Sequence, residues 1–273
     1  MNGIVIDIDP VLLRLGHFEL RWYGVILLVA IATAVWLAAR QSPKKGIPAE
    51  EIYSLVPWLL IGGIIGARLF HVVDQWQHYA ANPLQILMLQ QGGLAIWGGL
   101  AGGGAATVVF ARVRRIPLGR LADTLVLPVL VAQIIGRFAC IINGDAYGGV
   151  TGLPWGFVYV HPGAMIPNNL MGVPTHPYPV YEMIWNGLVL LALLRLRRHF
   201  PADGLLFLSY LPLYALGRFL LTFVRQENTT LWGLQQAQVV ALAMLVVSVA
   251  LFIYFYWKAR HNVAVESGTQ VSN

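Results

Sequence analysis

The residues in this sequence whose placement asks for chemistry are its arginines. Of eighteen lysines and arginines, twelve follow apolar runs in short connecting stretches: Arg40, Lys44, Lys45, Arg112, Arg114, Arg115, Arg120, Arg195, Arg197, Arg198, Lys258 and Arg260. Six remain. Arg14 and Arg21 precede the first apolar run, where they can lie at an interface or snorkel to it. Arg68, Arg137, Arg218 and Arg225 fall inside or at the end of later runs. An arginine at bilayer depth costs about 2.5–3.5 kcal/mol on insertion scales, so it ordinarily faces a partner or a wet cavity. The carboxylates near these four are Asp145 and Glu182, with Asp74 and Glu227 at the margins, too few to neutralise them all with charge to spare. The expected site is net positive and takes an anion. Guanidinium groups bind phosphate through paired hydrogen bonds, and in a membrane the first phosphate met is that of a phospholipid. Ion pairs that merely brace a helix bundle are the plainer alternative.

Spacing gathers these residues into faces. Tyr214, Arg218, Thr222 and Arg225 recur at intervals of four, four and three, and Gln133, Arg137 and Cys140 do the same on an earlier run. Both stripes are expected to face one cavity. Cys140 reads as a small buried residue. As the sole cysteine, it leaves no internal disulfide and no multi-cysteine metal centre. His176, Asp145, Glu182, Tyr181 and His71 are the groups near the same end that could move a proton; for His176 and His161 a plain loop role is equally open.

The elements that must hold these side chains are membrane helices. Of the 273 residues, 58% are hydrophobic and 11% charged, far below the roughly 25% charged usage of soluble domains. Apolar runs at about 20–40, 52–73, 92–111, 121–143, 179–196, 204–225 and 235–257 reach the roughly 20 residues a bilayer requires. The fold class is all-α, with about seven transmembrane helices in one membrane domain over 1–262 and a polar, disordered tail over 263–273. The twelve loop cations follow spans one, three, five and seven, whereas 74–91 and 144–178 contain no Lys or Arg. By the positive-inside rule the N-terminus lies outside and the C-terminus in the cytoplasm. Segment 144–178, rich in Gly, Pro and Asn, reads as a long outer loop or small cap. Trp22, Tyr23, Trp232, Tyr254, Tyr256 and Trp257 suit interfacial belts. Glycines at 92–104, with Gly62 and Gly66, require close helix approach.

Composition and motif exclude several classes. The net charge of +6 is accounted for by topology and anionic lipid, not nucleic acid. The zinc-protease HExxH, the G-x-S-x-G elbow and the Walker loop are absent, and no metal or cofactor is implied. The start of the chain has no basic stretch ahead of an apolar one, so a cleaved signal is not expected. An anion transporter would also need buried arginines, but the span count is odd and no repeat is visible.

An ordered set of motifs then appears: LRWYG at 20–24, GGIIGARL at 62–69, GGLAIWGG at 92–99, GRFACIINGDAYG at 136–148, HPYPVYE at 176–182 and YALGRFLLTFVR at 214–225. In order and spacing the chain resembles the prolipoprotein diacylglyceryl transferases over nearly its full length. In the block around Arg137, that family's pattern is matched by Gly136, Arg137, Ala139, Asn143 and Gly148. Cys140 and Ile141 stand where Asn and Phe are usual, Asp145 replaces Glu, Thr222 occupies a position that often holds Glu, and Trp97 one that is often His.

The resemblance implies transfer of the diacylglyceryl group of phosphatidylglycerol to the lipobox cysteine of a prolipoprotein, releasing glycerol phosphate, at the outer face of the bacterial cytoplasmic membrane. It implies catalytic roles among Arg137, Arg218, Asp145, His176 and Glu182. Substrate contacts are expected from Arg137, Arg218, Arg68, Asn143, Gly148, Tyr23, Tyr181, Tyr214 and Arg225. The usual His being absent, a thiolate stabilised by the arginine field is an alternative to a dedicated base. A diverged phospholipid-binding relative without turnover stays open.

Overall fold

The computed structural model describes residues 3–89, 92–225, 229–231 and 233–270. Among them are seven helices long and apolar enough to cross a membrane: α1 (Trp22–Gln41), α2 (Ala49–Asp74), α4 (Ile96–Val113), α5 (Leu118–Asn143), α6 (Tyr178–Leu196), α7 (Leu205–Thr222) and α8 (Gln236–Gln270), with a short α3 (Trp76–Ala81) between the second and third spans. The expected spans coincide with these within a few residues, except at the C-terminus. There α8 continues to Gln270, so the segment expected as a disordered tail is helical that far; once a long helix is nucleated, each further residue gains a hydrogen bond at small cost. Leu28, Ile61, Val73, Val246 and Trp257 are exposed on the long helices, as side chains facing hydrocarbon are. Glu227 and Trp232 lie outside the described residues.

The chain forms two compact units, Val35–Thr124 and the remainder. In the first, α2 and α4 pack backbone to backbone. A Cβ on Gly66 would lie 2.3 Å from the Gly98 carbonyl oxygen, and one on Gly102 would lie 2.2 Å from that of Gly62. No side chain fits there, which is the physical content of the glycine spacing.

The second unit holds α6, α7, α8, most of α5 and the segment between α5 and α6. That segment folds as a cap with its own core of Phe157, Tyr159 and Ile166. Its strand β4 (Phe157–Tyr159) pairs in parallel with β1 (Ile4–Ile6), and Val150 and Phe157 both bridge to Thr175. Two further ribbons, β2 (Val11–Leu15) with β3 (Phe18–Arg21), and β5 (Thr229–Leu231) with β6 (Leu234–Gln235), make three two-stranded sheets among the described residues. An all-α reading omits these ribbons. Each strand is at most five residues long, and β1 finds its partner only through tertiary contact, so little periodicity marks them.

Candidate active site

Three helices bring the central cluster together. Pro177 and Pro179 flank Tyr178 where α6 begins, and four residues along a helix return to the same face, so Tyr178 and Glu182 point the same way. Arg137 from α5 and Arg218 from α7 meet them. Nη2 of Arg137 lies 2.7 Å from Oε2 of Glu182, and Nη1 of Arg218 lies 3.3 Å from Oε1. The same Nη1 donates to the Tyr178 hydroxyl at 2.8 Å, and the Arg225 guanidinium stacks on the Tyr178 ring at 5.4 Å. Glu182 is 8% exposed, while each arginine side chain of the pair keeps 25%. One carboxylate therefore serves two guanidinia that both still reach solvent or ligand. Their sum is positive, and the free faces of the two cations can clamp an anion.

The two stripes expected from spacing meet in this unit. Gln133 donates to the Tyr210 hydroxyl at 2.9 Å, and the Tyr210 and Tyr214 rings lie 5.7 Å apart. Thr222 turns its hydroxyl back to the Arg218 carbonyl of its own helix and presents no acidic group to the clamp. Gln235 fastens the end of α7, donating to the carbonyls of Thr222 at 3.1 Å and Arg225 at 2.7 Å. Gly217 leaves room for the Trp185 indole, whose nitrogen would be 2.0 Å from an added Cβ.

Cys140 is half-buried rather than enclosed, and its sulfur accepts from Nη1 of Arg137 at 3.7 Å. Tyr23, at the start of α1, is within electrostatic reach of Cys140, Asp145 and Arg137. At the end of α5, Asn143 donates to the Met165 sulfur at 3.1 Å, and neither its Oδ1 nor that of Asp145, two residues on, receives a hydrogen bond among the described residues. Gly148 is pinned between two elements. Its N–H donates to His176, the Gly149 N–H donates to Val224, and a Cβ at Gly148 would lie 2.7 Å from that of His176.

The remaining candidates make other contacts. Tyr181 accepts from the Trp155 indole at 3.1 Å and shares a hydrogen bond with Nδ1 of His176 at 3.2 Å. His161 accepts from the Gly163 N–H, a loop contact. Arg68 belongs to the other unit, 5% exposed, and is consumed there. Its guanidinium has five N–H donors, and it contacts five carbonyls, those of Gln85, Ile86, Met88, Gly92 and Gly93. The Tyr79 ring covers it at 5.1 Å. This is the geometry of a residue that ties down its own loop. Its neighbour His71 packs edge-on to Tyr79, and Trp97 is 48% exposed on α4.

Sequence reasoning did not single out Tyr178, although its i, i+4 spacing to Glu182 on a helix start was a usable signal. Gln235 gave none, since its partners are backbone carbonyls of another element.

The fold and the cluster define a multi-pass helical membrane protein with a cationic site shared by three helices. The sequence profile described as prolipoprotein diacylglyceryl transferase matches residues 10–254, and the chain belongs to that family. Among its relatives, the phosphatidylglycerol–prolipoprotein diacylglyceryl transferase of Lactiplantibacillus plantarum is 34% identical over 96% of this chain and 93% of its own length. Proteins of the same description from Clostridioides difficile and Symbiobacterium thermophilum are 32% and 36% identical, over 94% and 91% of this chain and 100% and 93% of theirs.

Proposed function

We propose that this chain transfers the diacylglyceryl group of phosphatidylglycerol to the lipobox cysteine of a bacterial prolipoprotein. The observation that carries this reading is the pair of partly exposed guanidinia, Arg137 and Arg218, held on the single carboxylate of Glu182. The incoming sulfur attacks the saturated glyceryl carbon that bears the phosphate. An S–C bond forms, the C–O bond breaks, and glycerol phosphate departs with the bonding electrons. Negative charge grows on the leaving phosphate, where Arg137 and Arg218 are already oriented to receive it. Arg225, stacked on Tyr178, adds to the field, while Arg68 positions its own loop.

Thiolate formation is assigned to the same field. Glu182 is occupied by two cations. Nδ1 of His176 is shared with the Tyr181 hydroxyl, which also accepts from Trp155. Adjacent guanidinia lower the pKa of a thiol, and the released proton ends on the phosphate or in solvent. The absence of Lys and Arg from 144–178 supports a cytoplasmic-membrane topology with the N-terminus and the site toward the outer face.

The test is transfer of labelled diacylglyceryl from phosphatidylglycerol to a lipobox peptide by the purified protein. Arg137→Ala and Arg218→Ala variants of unchanged thermal stability should lose about a hundredfold or more in kcat. The inward turn of the Thr222 hydroxyl, in place of an acidic group, favours as a second reading a phospholipid-binding relative without turnover; lipid binding by a wild type that transfers nothing would establish it.

A further inference from the structure

Among the methionines of the described residues, Met165 in the cap is the exposed one, at 57%, whereas Met88, Met171, Met183 and Met244 are half-buried. Its place in the chain is fixed from both sides. Ile166 is 4% exposed in the cap core and Ala164 packs on the same core, while the Met165 N–H donates to the Asn143 carbonyl at 2.8 Å. The thioether is held as well, since Nδ2 of Asn143 donates to its sulfur at 3.1 Å and Nη1 of Arg21 at 3.9 Å. A thioether sulfur is a weak acceptor with two lone pairs, and two donors take one each. Asn143 is 6% exposed, so the lone pair it covers is closed off by buried protein. The Arg21 side chain is 44% exposed and stands farther away, so the other lone pair opens toward solvent. A methionine free to turn about its three rotatable bonds offers both faces of its sulfur. This one offers a single face.

We infer that Met165 is an oxidation site for hydroperoxides, modified on the one face of its sulfur that looks toward Arg21. The sulfur lone pair attacks the terminal oxygen of the peroxide. An S–O bond forms, the O–O bond breaks, and the departing oxygen leaves with the bonding electrons and takes the proton of the transferred one, as water or an alcohol. Sulfur is oxidised by two electrons and the peroxide reduced by two. Methionine sulfoxide is chiral at sulfur, so attack through one lone pair gives one epimer. The new oxygen stands toward the Arg21 guanidinium and accepts a charge-assisted hydrogen bond from it. Sulfoxide formation inside an apolar core is disruptive, but here the oxygen meets a cationic donor and water, and it adds a tie between the cap and β3. Sulfoxide reductases act on one epimer each, so a single reductase class suffices to restore the thioether.

The experiment treats the purified protein with hydrogen peroxide, folded or unfolded in dodecyl sulfate, digests it, and incubates the sulfoxide peptides with each of the two epimer-specific reductases. In the folded protein Met165 should gain oxygen several-fold faster than Met88, Met171, Met183 and Met244, as exposure dictates. One reductase should restore most of its sulfoxide and the other little. The unfolded chain should give both epimers in comparable amounts. Asn143→Ala, which uncovers the second lone pair, should bring the folded protein close to that mixture, and the contrast between folded and unfolded wild type holds whether or not the variant folds. At a dose that oxidises Met165 alone, the wild type should keep or raise its Tm, and Arg21→Ala should melt below its reduced form. An even epimer mixture from the folded wild type, a bias retained in folded Asn143→Ala, or oxidation of Met165 no faster than that of the half-buried methionines overturns the assignment. A lowered Tm in the oxidised wild type overturns the contact with Arg21.

Discussion

Glu182 holds two cations with one carboxylate, and its replacement tests whether that arrangement is structural or functional. Glu182→Ala leaves Arg137 and Arg218 facing each other unneutralised. With both guanidinia a quarter exposed, water recovers part of the loss, and about 1–3 kcal/mol of destabilisation is expected in a thermal or denaturant titration. Tyr178→Phe removes only the hydroxyl that accepts from Arg218. It should raise KM for the lipid several-fold with little change in stability. Tyr159 offers a pH test outside the membrane spans. Burial raises its phenol well above the ordinary value, and its hydroxyl donates to the Ile141 carbonyl. The unfolded phenol ionises near pH 10 while the folded one stays protonated, so its contribution is intact below about pH 10 and declines above it. Unfolding followed at pH 9 and pH 11 should show a smaller alkaline loss in Tyr159→Phe. At this scale the sequence was legible where a charge stood alone in an apolar run: Arg137, Arg218 and Glu182 stand out in that way, and the structure brings them together. It was silent on Arg68, which looks the same in sequence. Its partners are backbone carbonyls, which every residue carries.

Among the elements, the α2–α4 crossing is the most constrained. Gly66→Leu would drive a side chain into the Gly98 carbonyl and the Gly102 backbone, neither of which can swing aside. A loss of about 2–3 kcal/mol or more is expected, read as a lowered Tm. Gly104→Ala, with nothing near an added Cβ, should leave Tm unchanged. Hydropathy located all seven long helices because a span needs a long apolar run, a signal carried by many residues at once. The three ribbons escaped because their strands are short and their pairing is decided by distant partners, as between Ile4 and Phe157. The cap was legible as a break in the helical pattern, but its core of Phe157, Tyr159 and Ile166 was not, since three apolar residues among prolines and glycines make no period.

For the whole molecule, the charge pattern makes a directional prediction. In a Cys140→Ser background, Val150→Cys in the cap should react with an impermeant maleimide added to intact spheroplasts. Arg197→Cys, just past α6, should react only after permeabilisation. The reverse pattern would invert the proposed orientation. The two ways this chain neutralises cations also differ in what they owe to the solvent. On the N-terminal ribbon, Arg14 pairs with Asp9 and Glu19 through exposed side chains. The Val11 N–H, with Arg14, holds Asp9 below the usual carboxylate range, but strong acid or salt still dissolves such contacts. Arg68 is surrounded by carbonyl dipoles that carry no proton to gain and no net charge to screen. The contacts it makes there should hold in acid and in brine alike, a fastening made independent of the medium because, among the described residues, its partners are carbonyls and no carboxylate takes part.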